Sequence, residues 1–105
     1  KTGDGVAMNM KKAKHFYELS ALNGNVAARH NLGCLEGNNG NTFRAIKHFI
    51  IAARAGHNIS LDEVKVDFMR GFVSKDVYED TLRAYQKRMD EMKSDMREKA
   101  VSDLS

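Results

Sequence analysis

The segment Ala13-Lys14-His15-Phe16-Tyr17-Glu18-Leu19-Ser20-Ala21-Leu22-Asn23-Gly24 returns 32 residues later as Ala45-Ile46-Lys47-His48-Phe49-Ile50-Ile51-Ala52-Ala53-Arg54-Ala55-Gly56. In this frame Ala13 falls on Ala45, Tyr17 on Phe49, Leu19 on Ile51, Ser20 on Ala52, Ala21 on Ala53 and Gly24 on Gly56. The register carries on downstream, where Ala28 falls on Ser60 and Leu32 on Val64. At all eight positions the size class is kept, small on small, aromatic on aromatic, aliphatic on aliphatic. Helix crossing explains the pattern. Small residues let the two helices of a hairpin approach, the aromatic fills the gap beside them, and glycine turns the chain between them. One hairpin leaves its apolar faces uncovered, so such units stack in series. An accidental match between two amphipathic helices would not keep eight positions, the turn glycine among them, in one frame.

Local signals place the helices around this frame. Asn9 is expected to cap a helix over about 10–23, ended by Asn23-Gly24. A second helix is expected over 26–37, burying Val26, Ala28, Leu32 and Leu35, with Gly37-Asn38-Asn39-Gly40-Asn41 as a turn. A third follows over 42–55, ended by Gly56, and a fourth over about 59–70, capped by Asn58 and ended by Gly71. Ser74 then caps a long polar helix running to about Lys93, with continuation toward Ala100. Strand signals are absent. The expected fold class is all-α: an α/α superhelix of two helical hairpins plus a C-terminal capping helix. Residues 9–40 form the first unit, 41–72 the second and 73–105 the cap. Residues 1–8 read as the end of a truncated preceding repeat, since Gly3-Asp4-Gly5 resembles mid-domain loop and the first residue is Lys1. The chain is thus expected to be a fragment of a longer protein.

In the last helix Tyr78, Leu82, Tyr85, Met89, Met92 and Met96 recur at alternating steps of four and three, a two-position apolar seam of heptad type. The favoured reading is a terminal helix laid over the last hairpin, because repeat arrays need such a cap. The alternative is a weak homodimer through Tyr85, Met89, Met92 and Met96. Methionine specifies a seam poorly, and the flanking charges offer no pairing code.

Composition excludes several classes. The chain has 105 residues, 42% hydrophobic and 30% charged, an ordinary globular balance. One cysteine rules out an internal disulfide framework or a cysteine-rich zinc module within these residues. The longest apolar run, Phe49 to Ala53, is far too short to span a bilayer, so no membrane partner is expected. The net charge of +3 is unevenly spread: residues 1–57 hold eight Lys/Arg, three acids and all four histidines, and residues 58–105 hold nine Lys/Arg against eleven acids. The basic residues are scattered singly or in isolated pairs such as Lys11-Lys12, so nucleic acid is not expected as a partner.

Catalytic chemistry is sparse. His30 and Cys34 sit four apart on one helix and share a face. Zinc needs a second pair with suitable spacing, and a thiol nucleophile needs a third residue to orient its base; neither is evident. A small buried thiol beside a surface imidazole is the preferred reading. The acid pairs Asp62-Glu63, Glu79-Asp80 and Asp90-Glu91 point in different directions around a helix and read as solvated charge. No cofactor and no enzyme activity are expected.

Gly3-Asp4-Gly5-Val6, Asn9, Lys12-Ala13, Phe16-Tyr17, Ser20-Ala21, Gly24-Asn25, Ala28 and Asn31-Leu32-Gly33 together resemble a Sel-one-like repeat. This family of short helical hairpins is related to tetratricopeptide repeats. Asn9 stands where that pattern carries aspartate, and the second unit departs further, with Glu63-Val64-Lys65 in place of Asn-Leu-Gly. The resemblance covers about residues 3–72. It implies a tetratricopeptide-like right-handed superhelix that scaffolds complexes through a concave surface lined by the first helix of each pair. On that geometry Lys14, His15, Glu18, Lys47, His48 and Arg54 are the candidate protein-binding residues. The expected partner is an acidic or helical peptide. The tail, Gly71 through Ala100, resembles the closing segment of a eukaryotic subgroup whose members often carry an upstream RING-type zinc-binding domain. That resemblance implies, as an alternative, the substrate-recruiting or assembly part of a ubiquitin ligase. A cytoplasmic or nuclear location is the matching expectation.

Overall fold

A computed structural model describes the backbone of residues 2–104 and the side chains of residues 9–103. Five helices follow one another: α1 (Thr2–Leu22), α2 (Val26–Asn38), α3 (Thr42–Arg54), α4 (Asn58–Met69) and α5 (Lys75–Leu104). No strand occurs among the described residues. The fold is all-α, two antiparallel hairpins followed by a terminal helix. α2 packs against α1 and α3, α3 also against α4 and α5, and α4 against α5. The principal neighbour of α1 is α2. The radius of gyration is 16.8 Å and the extents are 62 × 34 × 16 Å. A compact chain of this length would have a radius of gyration of about 13 Å, so the helices are arrayed in series and not gathered round one centre.

Four of the eight pairs set by the 32-residue offset share the same degree of burial, and in the other four the second-unit member is the more buried. Ala21 and Ala53, Ala28 and Ser60, and Leu32 and Val64 are all buried, whereas Leu19 and Ile51 are each 49% exposed. Two apolar clusters result. The larger joins Ala45, Ile46, Phe49, Ala53, Val64 and Val73, and the smaller joins Ala21, Ala28 and Leu32 with Tyr17 against them. The turns between paired helices bend at Gly24 (φ 88°) and Gly56 (φ 102°), a region that L side chains avoid. Gly33 serves another purpose. A Cβ there would lie 2.6 Å from Phe49 Cε1, so its absence lets α2 lie against the ring.

Several expectations are corrected at the helix ends. α1 begins at Thr2, not after Asn9, so residues 2–8 continue the first helix and Asn9 lies in its interior. No proline interrupts the segment. A helix tolerates Gly3 and Gly5 at about 1 kcal/mol each once it is propagating. Lys1 lies outside the described residues. α4 is capped by His57, not Asn58: the His57 Nδ1 accepts the Ser60 amide at 3.2 Å. The offset pairs His57 with Asn25, whose Oδ1 caps α2 by accepting the Ala28 amide at 3.0 Å. At α5 the Ser74 Oγ accepts the Val77 amide at 3.2 Å, as expected of a cap.

α5 lies over the second hairpin along the proximal part of the heptad seam, with Thr81 in place of Leu82 in the buried line. Thr81 is buried and Leu82 is at the surface. The Thr81 hydroxyl donates to the Val77 carbonyl at 2.7 Å, which satisfies its polar atom and lets its methyl pack. Tyr78 stacks on Phe68 with centroids 4.7 Å apart and planes 13° apart. Tyr85 and Met89 are half-buried, and the Met89 and Met92 sulfurs lie beside Gly56. Beyond Met89, every described side chain is exposed, Met96 by 72%. No helix among the described residues is long and apolar enough to cross a membrane.

Candidate functional site

Three helices build one cleft of about 270 Å³. α1 contributes Lys14, Glu18 and Leu22, spaced by four so that they line one helix face. α2 contributes Arg29, Leu32 and Glu36, and α3 contributes His48. Leu32 is part of the buried floor, and Leu22 is 78% exposed at the rim.

The charges in the cleft are largely matched internally. Glu36 is only 4% exposed. The Lys14 Nζ lies 3.1 Å from its Oε1, and the Asn41 Nδ2 donates to its Oε2 at 2.7 Å. The Asn41 hydrogen bond, and then Lys14, hold the Glu36 carboxyl below its ordinary range. Asn41 precedes α3 and by residue type would cap it, but its side chain makes no cap bond and serves Glu36 instead. Arg29 meets an imidazole: its Nη1–H points at His48 Nδ1 across 3.5 Å, which requires His48 to be neutral at that nitrogen. Burial, and then Arg29, lower the His48 pKa. No carboxylate lies within ion-pair distance of Arg29 among the described residues.

Of the residues expected to line a binding groove, Lys14, Glu18 and His48 are brought together here. His15 and Lys47 are exposed and do not line this cleft. Arg54 lies elsewhere: its Nη1 donates to Asp80 Oδ2 of α5 at 2.6 Å, fastening the terminal helix to α3. The expected basic strip is therefore a mixed surface, with Lys14 and Arg54 already paired. Sequence reasoning missed Leu22, Arg29, Leu32 and Glu36. Leu22 could have been found from its spacing of four from Glu18. The others need the mutual placement of α1, α2 and α3.

The pair His30 and Cys34 reverses its expected roles. Cys34 is the exposed member, and His30 is partly buried, its ring 5.2 Å from that of Phe49. The His30 Nε2 lies 3.5 Å from Cys34 Sγ, and its Nδ1 lies 2.8 Å from Ser60 Oγ. Partial desolvation, and then Glu63, push the Cys34 thiol up, the direction opposite to nucleophile activation. No group of three or more His, Cys, Asp or Glu among the described residues is arranged to hold a metal ion.

No family model matches this chain. No curated protein and no solved structure matches it either.

Proposed function

We propose that the chain is a non-catalytic protein-interaction scaffold whose cleft between α1, α2 and α3 receives an amphipathic segment bearing a carboxylate. The observation that carries this reading is Arg29, a cation with no carboxylate partner among the described residues, between the exposed Leu22 and the Leu32 floor. An incoming carboxylate would gain a bidentate partner, and an apolar side chain would cover Leu22. The resemblance to Sel-one-like repeats, whose hairpins hold protein complexes together, supports the same reading. Lys14 and Arg54 are poor probes of this surface because reversing them breaks internal ion pairs.

Titrating the isotope-labelled chain with acidic amphipathic helical peptides, and following backbone shifts, tests the reading. The shifts are expected to concentrate on Glu18, Leu22, Arg29 and His48. Arg29→Glu should weaken binding by about tenfold or more, and Arg83→Glu on α5 should leave it unchanged. Added salt should slow association. Equal affinity in Arg29→Glu would refute the assignment.

A second reading, self-association through α5, is favoured by the exposed Met92, Met96 and Val101 on its distal part. Light scattering at several concentrations, with Met96→Lys/Val101→Lys as the control, separates the two.

A further inference from the structure

Ser60 is 0% exposed in the first turn of α4. The offset pairs it with Ala28, so the packing at this kind of position does not require a hydroxyl. A buried hydroxyl needs partners, and Ser60 has two: its Oγ lies 2.8 Å from His30 Nδ1 on α2 and 2.9 Å from His57 Nδ1 at the cap of α4. The two imidazole centroids are 4.9 Å apart.

Proton inventory orders this chain of contacts. The Ser60 amide can only donate, and its acceptor is His57 Nδ1, so that nitrogen carries no proton. The Ser60 O–H must then donate to the same nitrogen, since otherwise two lone pairs would face each other at 2.9 Å. The Ser60 oxygen is left to accept, so His30 carries its proton on Nδ1. His30 Nε2 is bare and faces the Cys34 thiol. One backbone amide thus fixes the tautomers of two histidines from different hairpins.

We propose that His30, Ser60 and His57 form an acid-sensitive latch between the two hairpins, closed only while both imidazoles are neutral. A proton on His57 Nδ1 would face the Ser60 amide, which can only donate, and remove the cap. A proton on His30 Nε2 would face only the weak acceptor Cys34 Sγ and would bring positive charge against His57. The groups facing the latch are Cys34 from α2, Glu63 from α4 and Arg88 from α5, whose Cγ lies over Gly56; α3 presents the Phe49 ring. Burial, and then His57, lower the His30 pKa, and Glu63 opposes them without reversing the direction. A histidine held below its unfolded value of 6.5 supports the fold fully above that pH. The support is lost as pH falls through the lower folded value, because the unfolded chain takes the proton first.

Nitrogen spectroscopy on the whole chain near neutral pH is expected to find His57 protonated on Nε2 and His30 on Nδ1. Exchange of the Ser60 amide, corrected for intrinsic rate, should report an opening constant about two- to thirtyfold larger in mild acid, the range that loss of an N-cap spans. His30→Gln/His57→Asn, which keeps a cap acceptor, should show no such rise. Opposite tautomers, or Ser60 protection that ignores pH in the wild type, overturn the latch. A pH response that survives the double variant and vanishes in His48→Gln does so too. The tautomers and the wild-type exchange decide the matter even where the double variant fails to fold.

Discussion

Gly33 and Phe49 meet so closely that a methyl group on the glycine would stand 2.6 Å from ring carbon Cε1. The contact joins α2 to α3, the junction between the two hairpins. Gly33→Ala gains about 1 kcal/mol of helix propensity and incurs about 1–3 kcal/mol of overpacking. A net loss of stability is expected in chemical denaturation. A cycle with Phe49→Leu should show the alanine costing less once the ring is gone.

Glu36 should govern part of the acid response. Its carboxyl is held low by Asn41 and then Lys14, so its contribution is complete above the ordinary value of 4.5 and disappears as pH falls through the lower folded value. Glu36→Gln is therefore expected to be less stable near neutral pH and to have a flatter acid-unfolding curve. Asn41→Asp should destabilise by about 1–3 kcal/mol although aspartate is a good cap residue, because it sets a carboxylate against Glu36.

His48 makes the cleft itself sensitive to acid. Its pKa lies below 6.5 through burial and then Arg29, so the unfolded chain takes up the proton first and stability drops as pH falls through the folded value. His48→Gln should remove that share of the slope. Arg29→Met should raise the His48 pKa, measured by the titration of its ring protons.

Truncation separates the two parts of α5. Ending the chain after Lys93 keeps Met89 and Met92 against Gly56 and should leave the melting temperature unchanged. Ending it after Tyr85 removes both and should lower it, by about 4–8 °C for each kcal/mol lost.

Size matching between Ala21 and Ala53, or Leu32 and Val64, made the hairpins legible, since buried positions constrain volume. The start of α1 was hidden because Asn9 is a good cap and an adequate interior residue alike. Thr81 displaced Leu82 from the interface because a hydroxyl that bonds its own helix leaves a methyl free to pack, which hydrophobicity alone does not reveal. The cleft was half legible: Lys14, Glu18 and His48 lie on α1 and α3 as expected. Glu36 and Arg29 depend on how three helices meet. Ser60 did leave a trace, as a polar residue in the frame of Ala28.

α1 has one principal neighbour, whereas α3 has three. The proposed docking surface therefore hangs on the least supported helix, where local unfolding is cheapest. A bound segment would act as a second wall for α1. Occupancy and the folding of α1 become one equilibrium, and the first sign of a true ligand would be slowed amide exchange along residues 9–22, ahead of any change in the second hairpin.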